Sequence, residues 1–303
     1  LRDLTSAREA GGQYSDLARA ALAALWPEVQ AQFARRHGPP PGRGAVILGM
    51  GSLGAGLLTP ESDLDLIVIY DSLEVDQSDG PRPLSTRPYY ARLTQALITA
   101  VATQTAQGRH YETDMRLRPS GNQGPVATSW AAFQSYQEND AWLWEHLALS
   151  RATCVAGTAD LAADVEAFRR HILGRPRDRA AVMVDLEDMR DRIAGAKAPD
   201  GPWDAKIGPG RLQDIELLAQ AGLVLTGTPD RDVGAGLQAA VAAGLMDAAD
   251  AQTLAQSYAM MWRVQMATRL LTVGPVDAQT VGAGGQAVLL RAVGTATVAE
   301  AEA

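Results

Sequence analysis

Two acids, Asp63 and Asp65, stand at the start of an apolar stretch that runs to Tyr70. Because side chains alternate across a β-strand, acids two residues apart point to the same side of it. Residues 66–70 are apolar on both faces, which is typical of a buried strand. Two carboxylates at the mouth of such a strand repel each other, and a divalent cation such as Mg²⁺ would hold them together through its preferred oxygen ligands. An isolated pair of this kind is also common where a strand simply ends in solvent.

A glycine-rich turn precedes the two acids. A short apolar strand over residues 45–48 leads into Gly51, Ser52 and Gly54. Small residues let backbone N–H groups approach a phosphate, and a helix that begins after the turn would add its positive dipole end. The turn lacks the Gly-Lys-Ser/Thr ending of a P-loop and the later acid of a dinucleotide fingerprint. Its spacing is the specific feature, because ten residues, 53–62, separate it from the acid pair. We therefore predict nucleotide contacts at Gly51, Ser52 and Gly54.

A second charged stretch covers residues 111–121, which read Tyr-Glu-Thr-Asp-Met-Arg-Leu-Arg-Pro-Ser-Gly. Its alternation predicts a strand with Asp114, Arg116 and Arg118 on one face. An ion-pair ladder on a solvated sheet would give the same pattern. In a chain that also carries the acid pair, we predict that Asp114 is a third metal-binding carboxylate. The two arginines would bind a polyphosphate, because a guanidinium can donate two hydrogen bonds at once.

The remaining elements follow from hydrophobic periodicity and from Gly and Pro. Together they predict an α+β fold, in which a small mixed sheet with flanking helices is followed by an α-helical bundle. The predicted domains are an N-terminal helical lead over 1–42, a catalytic domain over 43–125 and a helical domain over 126–303. Within them we expect a helix over 13–38 that breaks or kinks at Pro27, a surface loop over 71–88, a helix over 89–105, almost only helix from 126 onward, and a chain break at the glycines of 282–285.

Two further motifs fall on predicted helices. In Ala-Trp-Leu-Trp-Glu-His, residues 141–146, Glu145 and His146 share a face with Trp142, and core packing with a buried hydrogen bond explains this pattern better than direct chemistry. Asp214 and Glu216 lie about 200° apart around a helix, so they cannot chelate one ion from a regular helix.

Composition restricts the class of partner. The net charge of −8 argues against a broad nucleic-acid surface, which needs clustered basic residues. No apolar run approaches the roughly 18 residues that a membrane span needs, and no signal peptide is visible. The single cysteine, Cys154, excludes an intrachain disulfide and fits a reducing compartment. We expect a cytoplasmic protein with no nucleic-acid and no membrane partner.

The motifs and their order resemble a known group of enzymes. Gly-Ser followed by Asp-x-Asp is similar to the nucleotidyltransferase superfamily that includes DNA polymerase β and the aminoglycoside nucleotidyltransferases. With the stretches at 111–121 and 141–146, and with Lys206-x-Gly-x-Gly-x-Leu-x-Asp214-Ile-Glu216, the resemblance narrows to the glutamine synthetase adenylyltransferase family over about residues 43–220. Arg-Pro-Ser-Gly and Ala-Trp-x-Trp-Glu-His are similar to its C-terminal, adenylylating half, so we expect an excised C-terminal half.

The resemblance implies a polymerase-β-like nucleotidyltransferase domain that uses ATP and two Mg²⁺ ions. Asp63 and Asp65 would bind both ions. Asp114 would be a further ligand of the catalytic ion and would accept the proton of the attacking hydroxyl. Lys206 joins Arg116 and Arg118 as a candidate for the phosphates. The implied reaction transfers AMP to a tyrosine hydroxyl of glutamine synthetase and releases pyrophosphate, under regulation by glutamine and a PII signal protein.

The chain also departs from the family pattern. Ser52 stands where Lys is common, Ala55-Gly56-Leu57 replaces Gly-Arg-Glu, and Arg211 replaces a usual Gly. Three alternatives stay open: the related deadenylylating, phosphorolytic half; a superfamily enzyme that acts on a small molecule; and a non-catalytic nucleotide-sensing domain. An Asp-to-Asn change at any of the three acids would have favoured the last of these, and the sequence has none.

Overall fold

The computed structural model describes residues 5–104, 106 and 108–302, and its architecture is mixed α+β. This confirms the predicted class. In chain order the elements are α1 Ala7–His37, β1 Gly44–Gly49, α2 Gly51–Ala55, β2 Leu64–Asp71, α3 Thr86–Ala102, β3 Thr113–Asp114, β4 Ala127–Ser129, α4 Trp130–Asn139, α5 Leu143–Ser150, β5 Thr153–Gly157, α6 Ala159–Leu173, α7 Arg179–Ala196, α8 Leu212–Thr226, α9 Val233–Ala242, α10 Ala248–Leu271, α11 Gly282–Val293 and α12 Val298–Glu302.

The chain divides into two compact units. We call Ser15–Gly56 with Ser62–Leu173 the sheet unit. The helical unit contains the described residues up to Tyr14, the segment Leu57–Glu61, and the chain from Gly174 onward. No helix in the described part of the chain is long and apolar enough to cross a membrane.

The sheet unit is built around β2, the middle strand of a mixed sheet with the order β3-β2-β1-β5. β1 is antiparallel to both β2 and β5, whereas β3 and β4 pair in parallel with β2. The β2–β3 register sets Leu64 opposite Thr113 and Asp65 opposite Asp114. The first residues of β2 therefore meet the end of β3 at one corner of the sheet.

One core stabilises this arrangement. Val46 and Ile69, from β1 and β2, pack with Phe133 of α4 and Ile172 of α6, and each of these four side chains is at most 1% exposed. Burying an apolar side chain of this size contributes about 1.5–3 kcal/mol. Packing against this core fixes β1 and β2 in place. Polar side chains can therefore lie at the ends of these strands.

The helical unit has its own core, which includes Trp203, Leu212, Leu237 and Trp262. Its closest packing joins α8 and α9, where a Cβ on Gly222 would lie 2.4 Å from the carbonyl oxygen of Gly236. Only glycine permits that approach, so these helices are held backbone against backbone.

Several predicted elements are confirmed. The strand over 45–48 is the centre of β1, and the acidic strand is β2, which begins one residue after Asp63. The helix over 89–105 is α3, which begins earlier, at Thr86, and ends at Ala102. Its predicted last residue, Thr105, lies outside the described residues.

A break at Pro27 is wrong, because α1 runs as one helix from Ala7 to His37, and a kink there stays a prediction. Leu22, Trp26 and Val29 are all buried on its inner face, and their packing outweighs the missing proline N–H. The glycines of 282–285 do not break the chain either, since α11 begins at Gly282.

The prediction of almost only helix after 126 missed two strands, β4 and β5. Both are short, and both gain their stability from pairing with distant strands of the sheet. Residues 126–173 consequently belong to the sheet unit. The boundaries of the two compact units therefore differ from those of the predicted segments 1–42, 43–125 and 126–303. The functional division into those segments stays a prediction.

Candidate active site

The corner where β2 begins and β3 ends brings two of the predicted carboxylates together. Asp65 and Asp114 are register partners on neighbouring parallel strands, which lie about 4.8 Å apart in a sheet. Asp65 is half-buried, and the side chain of Asp114 is 14% exposed. Asp63 precedes β2 and is exposed. The negative charges of all three acids reach the guanidinium of Arg116. The pKa of Arg116 is raised first by its hydrogen bond to Asp114 and by the charge of Asp114, and further by the charges of Asp63 and Asp65.

The glycine-rich turn packs directly on the second acid. Gly51 has a φ of +51°, and a Cβ there would lie 2.1 Å from Asp65 Oδ2. The N–H of Met50 donates to the carbonyl oxygen of Asp65 at 2.9 Å. Only glycine fits at position 51, because a side chain would overlap the carboxylate and strain the backbone. The sequence spacing between turn and acid therefore has a physical counterpart in the fold.

The other predicted residues of the turn have different surroundings. Gly54 is a packing glycine, since a Cβ there would lie 2.4 Å from the carbonyl oxygen of Arg151 and 2.6 Å from that of Gly49. Ser52 is half-buried in α2, a helix of five residues. Gly56 ends α2 in the left-handed conformation with a φ of +76°. Contacts from Ser52 and Gly54 to a nucleotide stay predictions.

The two arginines do not share a strand face with Asp114, and that expectation is wrong. β3 ends at Asp114, and the chain then turns, with positive φ at Ser120 and Gly121. Arg116 folds back on Asp114: its N–H donates to Oδ1 at 2.8 Å and its Nε to Oδ2 at 2.7 Å. Arg118 instead donates to the carbonyl oxygens of Met115, at 2.6 Å, and Gly124, at 3.4 Å, and so closes the turn.

The Asp114–Arg116 pair changes the protonation of the carboxyl group. Burial by itself raises the pKa of Asp114, but the hydrogen bonds from Arg116 and the charges of Arg116 and Arg118 outweigh it, and the pKa falls below its ordinary value. Asp114 is thus a carboxylate at neutral pH, as a metal ligand must be.

The carboxylates of Asp63, Asp65 and Asp114 are suitable ligands for a hard cation, but their side chains do not converge on one point. In the described residues no group of three or more His, Cys, Asp and Glu side chains is placed to hold a metal ion. At Asp114 both carboxylate oxygens already accept hydrogen bonds from Arg116, Oδ1 from its backbone N–H and Oδ2 from its guanidinium. Carboxylate oxygens are the ligands that Mg²⁺ prefers, so the three acids suit this ion by their donor type.

Lys206 belongs to the helical unit, where its side chain is exposed and its N–H donates to Asp204 Oδ1 at 2.9 Å. Arg211, the departure from the family pattern, donates to the carbonyl oxygens of Gly201 and Ile207 and so braces the same loop. The predicted contact between Lys206 and the phosphates stays a prediction.

Asp214 and Glu216 have separate partners, as the helical period predicts. Arg190 donates to Asp214 at 2.8 Å, and the Tyr258 hydroxyl donates to Glu216 at 3.1 Å. These two acids therefore do not form a joint site.

Glu145 and His146 are buried, and each is hydrogen-bonded. Glu145 accepts from the Tyr136 hydroxyl at 2.9 and 3.1 Å and from the N–H of Trp142 at 2.9 Å, while His146 Nε2 lies 2.9 Å from the carbonyl oxygen of Gln137. Sequence reasoning missed Tyr136, which no motif marks.

Comparison with known proteins places these features in a family. Residues 1–168 match the profile described as glutamate-ammonia ligase adenylyltransferase, and residues 182–303 match the one described as GlnD PII-uridylyltransferase. Three relatives carry the name bifunctional glutamine synthetase adenylyltransferase/adenylyl-removing enzyme. The one from Mesorhizobium japonicum is 44% identical over 290 residues, which is 93% of this chain and 29% of the relative. The one from Rhizobium meliloti is 43% identical over 283 residues, which is 91% of this chain and 29% of the relative. The one from Brucella suis is 46% identical over 212 residues, which is 70% of this chain and 22% of the relative. The chain thus spans less than a third of the length of these relatives.

Proposed function

The chain belongs to the glutamate-ammonia ligase adenylyltransferase family, and from that membership we propose that it transfers AMP from ATP to a tyrosine hydroxyl of glutamine synthetase. In this proposal the sheet unit is a polymerase-β-like nucleotidyltransferase domain. The observation that carries the proposal is the register of Asp65 with Asp114 beside a turn whose Gly51 has no room for a side chain.

Asp63, Asp65 and Asp114 are the residues that would hold Mg²⁺, two ions in this proposal. When bound, Mg²⁺ would offset the charge of the triphosphate and lower the pKa of the attacking hydroxyl.

Arg116 has a double role in the proposal. Without nucleotide it neutralises Asp114. With nucleotide it releases that carboxylate and donates to a phosphate instead. Its side chain is 74% exposed while that of Asp114 is 14% exposed, so Mg²⁺ would have to replace the charge that Arg116 withdraws from the partly buried carboxylate.

The glycine turn would receive the β and γ phosphates. Gly51 lies against Asp65, and in this proposal the backbone N–H groups of the turn and the Ser52 hydroxyl would be the donors. Arg118 supports the phosphates by shaping the turn that carries Arg116, and Lys206 is the further cation that the family motif contributes.

The reaction balances as a single in-line substitution. The tyrosine oxygen forms a bond to the α-phosphorus while the bond from that phosphorus to the pyrophosphate oxygen breaks. The hydroxyl proton passes to a carboxylate of the corner, for which Asp114 is the candidate that the family resemblance indicates. Pyrophosphate leaves with the negative charge.

The proposed partners rest on the family. Glutamine synthetase is named in the relatives' own names, and regulation by glutamine and a PII protein is part of the proposal through the resemblance. The match of residues 182–303 to a PII-uridylyltransferase profile favours the helical unit as the place of that regulation.

Intact mass spectrometry of glutamine synthetase, incubated with this chain, ATP and Mg²⁺, tests the proposal. We expect a gain of one AMP per modified subunit, with release of pyrophosphate. Loss of AMP from pre-adenylylated synthetase in the presence of phosphate, without any gain from ATP, would assign the chain to the deadenylylating reaction. No change in either direction would point to a different acceptor.

A further inference from the structure

The last turns of α1 and the middle of α3 form a groove on the sheet unit that the proposed reaction does not use. α1 lines it with every third or fourth residue from Val29 to His37, and α3 does the same from Arg92 to Ala100. Each helix therefore turns one face toward the groove over about 12 Å of its length. We call this feature the basic groove. The spacing suits a third helix, because helices pack through faces with this period.

The two helices run past each other so that the end of α1 lies beside the start of α3. The ring of Tyr89 packs edge-on against Phe33 with the ring centroids 5.0 Å apart, and its hydroxyl donates to the carbonyl oxygen of Gly38 at 2.9 Å. Arg36 and Arg92 therefore share one end of the basic groove. The side chains that line the other end are uncharged.

The cations at this end are not neutralised by neighbouring acids. Arg36 and Arg92 are exposed, and within the described part of the chain neither guanidinium has a hydrogen bond or an ion pair. Neither α3 nor the part of α1 beyond Val29 contains an acid. Arg82 adds a third cation beside them, since its N–H bonds the carbonyl oxygen of Arg36 at 2.9 Å and its carbonyl oxygen lies 2.7 Å from Nδ1 of His37.

Helix stability explains only part of this charge. Arg36 lies in the last turn of α1, where a cation is favoured by the negative end of the helix dipole. Arg87 lies in the first turn of α3, where a cation is disfavoured and no acid offsets it, and Arg92 lies too far along the helix to gain from either end. By contrast, Arg43 in the same unit is paired with three acids. The unpaired arginines and the positive end of α3 together attract an anionic partner.

The floor of the basic groove is apolar and narrow side chains line part of it. Ala96 and Ala100 of α3 line the groove together with Val29 and Phe33 of α1. Methyl groups let the backbone of another helix approach closely, and the ring of Phe33 is half-buried. A helix with an apolar stripe and acids near one end is therefore complementary to the groove in both shape and charge.

The basic groove is joined to the acid corner, where Asp63, Asp65 and Asp114 lie, through the end of α3. The N–H of Tyr111, which precedes β3 by two residues, donates to the carbonyl oxygen of Val101 at 3.5 Å. The uncharged end of the groove therefore lies on the side of β3, and the arginines lie at the far end. An acidic partner is repelled by the corner and attracted by the arginines, which fixes the direction in which it can bind.

We infer that the basic groove docks glutamine synthetase through an acidic helix on the surface of that acceptor. This inference rests on the proposed function, because that function supplies the acceptor. Arg36 and Arg92 pair with carboxylates near one end of the helix, and the apolar floor receives its apolar stripe. Charge complementarity of this kind speeds association and fixes the register of the partner, and salt weakens it.

Arg36→Glu combined with Arg92→Glu is the main test, because it reverses both charges of the groove. In the full chain, the KM for glutamine synthetase, and the Kd for it without ATP, should each rise roughly 10-fold or more at low salt. The difference from the wild type should shrink as the salt concentration rises, since salt screens exposed charges. The kcat and the KM for ATP should stay within about twofold of the wild type, because only docking is weakened.

Arg35→Glu combined with Arg170→Glu is the matched control, because it reverses as many charges on exposed arginines of the same unit that do not line the groove. It should leave the Kd and both KM values within about twofold of the wild type. Thr99→Trp is a second variant, which adds bulk at an exposed position of the groove without changing its charge. It should raise the KM for glutamine synthetase and keep the wild-type dependence on salt.

A photoreactive benzoylphenylalanine in place of Gln95, an exposed residue of the groove, identifies what binds there. Mass spectrometry of the cross-linked complex with glutamine synthetase should find a helix that carries several Asp or Glu residues. Cross-links to a basic or non-helical segment would overturn the inference. Equal effects of the reversal variant and its control, or no effect of the reversal variant on Kd and KM, would overturn it as well.

The Kd is measured without ATP and is therefore independent of the transfer reaction. If the wild type binds the synthetase but transfers no AMP, and the reversal variant binds it more weakly, the proposed function fails and the docking inference stands. If transfer proceeds and the reversal variant keeps the wild-type KM, the docking inference fails and the proposed function stands. If the wild type neither binds nor modifies the synthetase, both fail together.

Discussion

The two units of the chain use the same kinds of residue in different ways. In the sheet unit, Asp65 and Asp114 come from separate strands and become neighbours through the parallel register. In the helical unit, Asp214 and Glu216 come from one helix, and each acid bonds a different partner. All four acids lie in motifs that can be recognised in the sequence.

This difference shows that the backbone geometry, strand register or helical period, determines whether two acids can share one ligand. Parallel strands bring their residues side by side, so like charges accumulate unless a cation or an arginine neutralises them. A helix separates residues two apart by about 200°, so each acid meets its own donor. We therefore expect substitutions at Asp65 and Asp114 to affect chemistry and those at Asp214 and Glu216 to affect stability.

The largest expected effect is that of Asp65→Asn. Removing one carboxylate from the acid corner should lower AMP transfer roughly 100-fold or more, because a charged ligand for Mg²⁺ is lost. The thermal unfolding midpoint should stay at or slightly above the wild-type value, since charge repulsion is relieved. Pyrophosphate release and calorimetry measure the two quantities, and near-normal turnover would refute the role of the corner.

Gly51→Ala should come next. The new Cβ would overlap Asp65 Oδ2, and the backbone there has a φ of +51°, so we expect about 1–3 kcal/mol of destabilisation and transfer reduced roughly 10-fold or more. Gly12→Ala is the matched control, because a Cβ at that position of α1 meets nothing within 4 Å. The control should raise the free energy of unfolding by up to about 1 kcal/mol, as alanine favours helix. Equal effects of the two substitutions on activity would contradict the packing argument.

Asp214→Asn sharpens the comparison from the other side. It weakens the ion pair with Arg190, whose side chain is 48% exposed against 22% for Asp214, and keeps a side-chain oxygen for the N–H of Gly210, so the free energy of unfolding should fall by about 1 kcal/mol. AMP transfer should stay within about threefold of the wild type. A loss as large as that of Asp65→Asn would mean that the helical acids also take part in the chemistry.

The smallest expected effect is a pH dependence at Glu145. Burial, opposed only in part by the hydrogen bonds from Trp142 and Tyr136, raises its pKa above the ordinary value. A raised carboxyl pKa favours folding while the group is protonated, and this contribution is lost as the pH rises through the folded-state pKa. The free energy of unfolding of the wild type, measured against Glu145→Gln, should therefore decline as the pH rises above about 4.3, the ordinary pKa of a glutamate. A difference that stays constant as the pH rises would argue that the pKa is not raised.

The sequence predicted the strands that carry this site because their signals are local. The alternation around Asp63 and Asp65 depends on a few neighbouring side chains, and β1 and β2 confirm the two predicted strands. The packing of Gly51 against Asp65 was not predicted. The partner of Asp65 was also identified, through the charged stretch that contains Asp114.

The errors come from long-range contacts. β5 is a strand because β1 offers it a pairing edge about a hundred residues away in sequence, and no local pattern contains that information. The turn after Asp114 replaces a predicted strand because Arg116 and Arg118 find bonding partners within it. The hydrogen bond between Glu145 and Tyr136 joins α5 to α4, and only the fold brings the two side chains together.

The most direct test of the central claim maps where the metal binds. Fe²⁺ in place of Mg²⁺, with ATP, ascorbate and peroxide, cleaves the backbone next to its ligands, and the fragments are identified by mass spectrometry. The account predicts cleavage close to residues 63–65 and 114, which Asp65→Asn abolishes. Cleavage at residues 214–216 that Asp65→Asn leaves unchanged would contradict it.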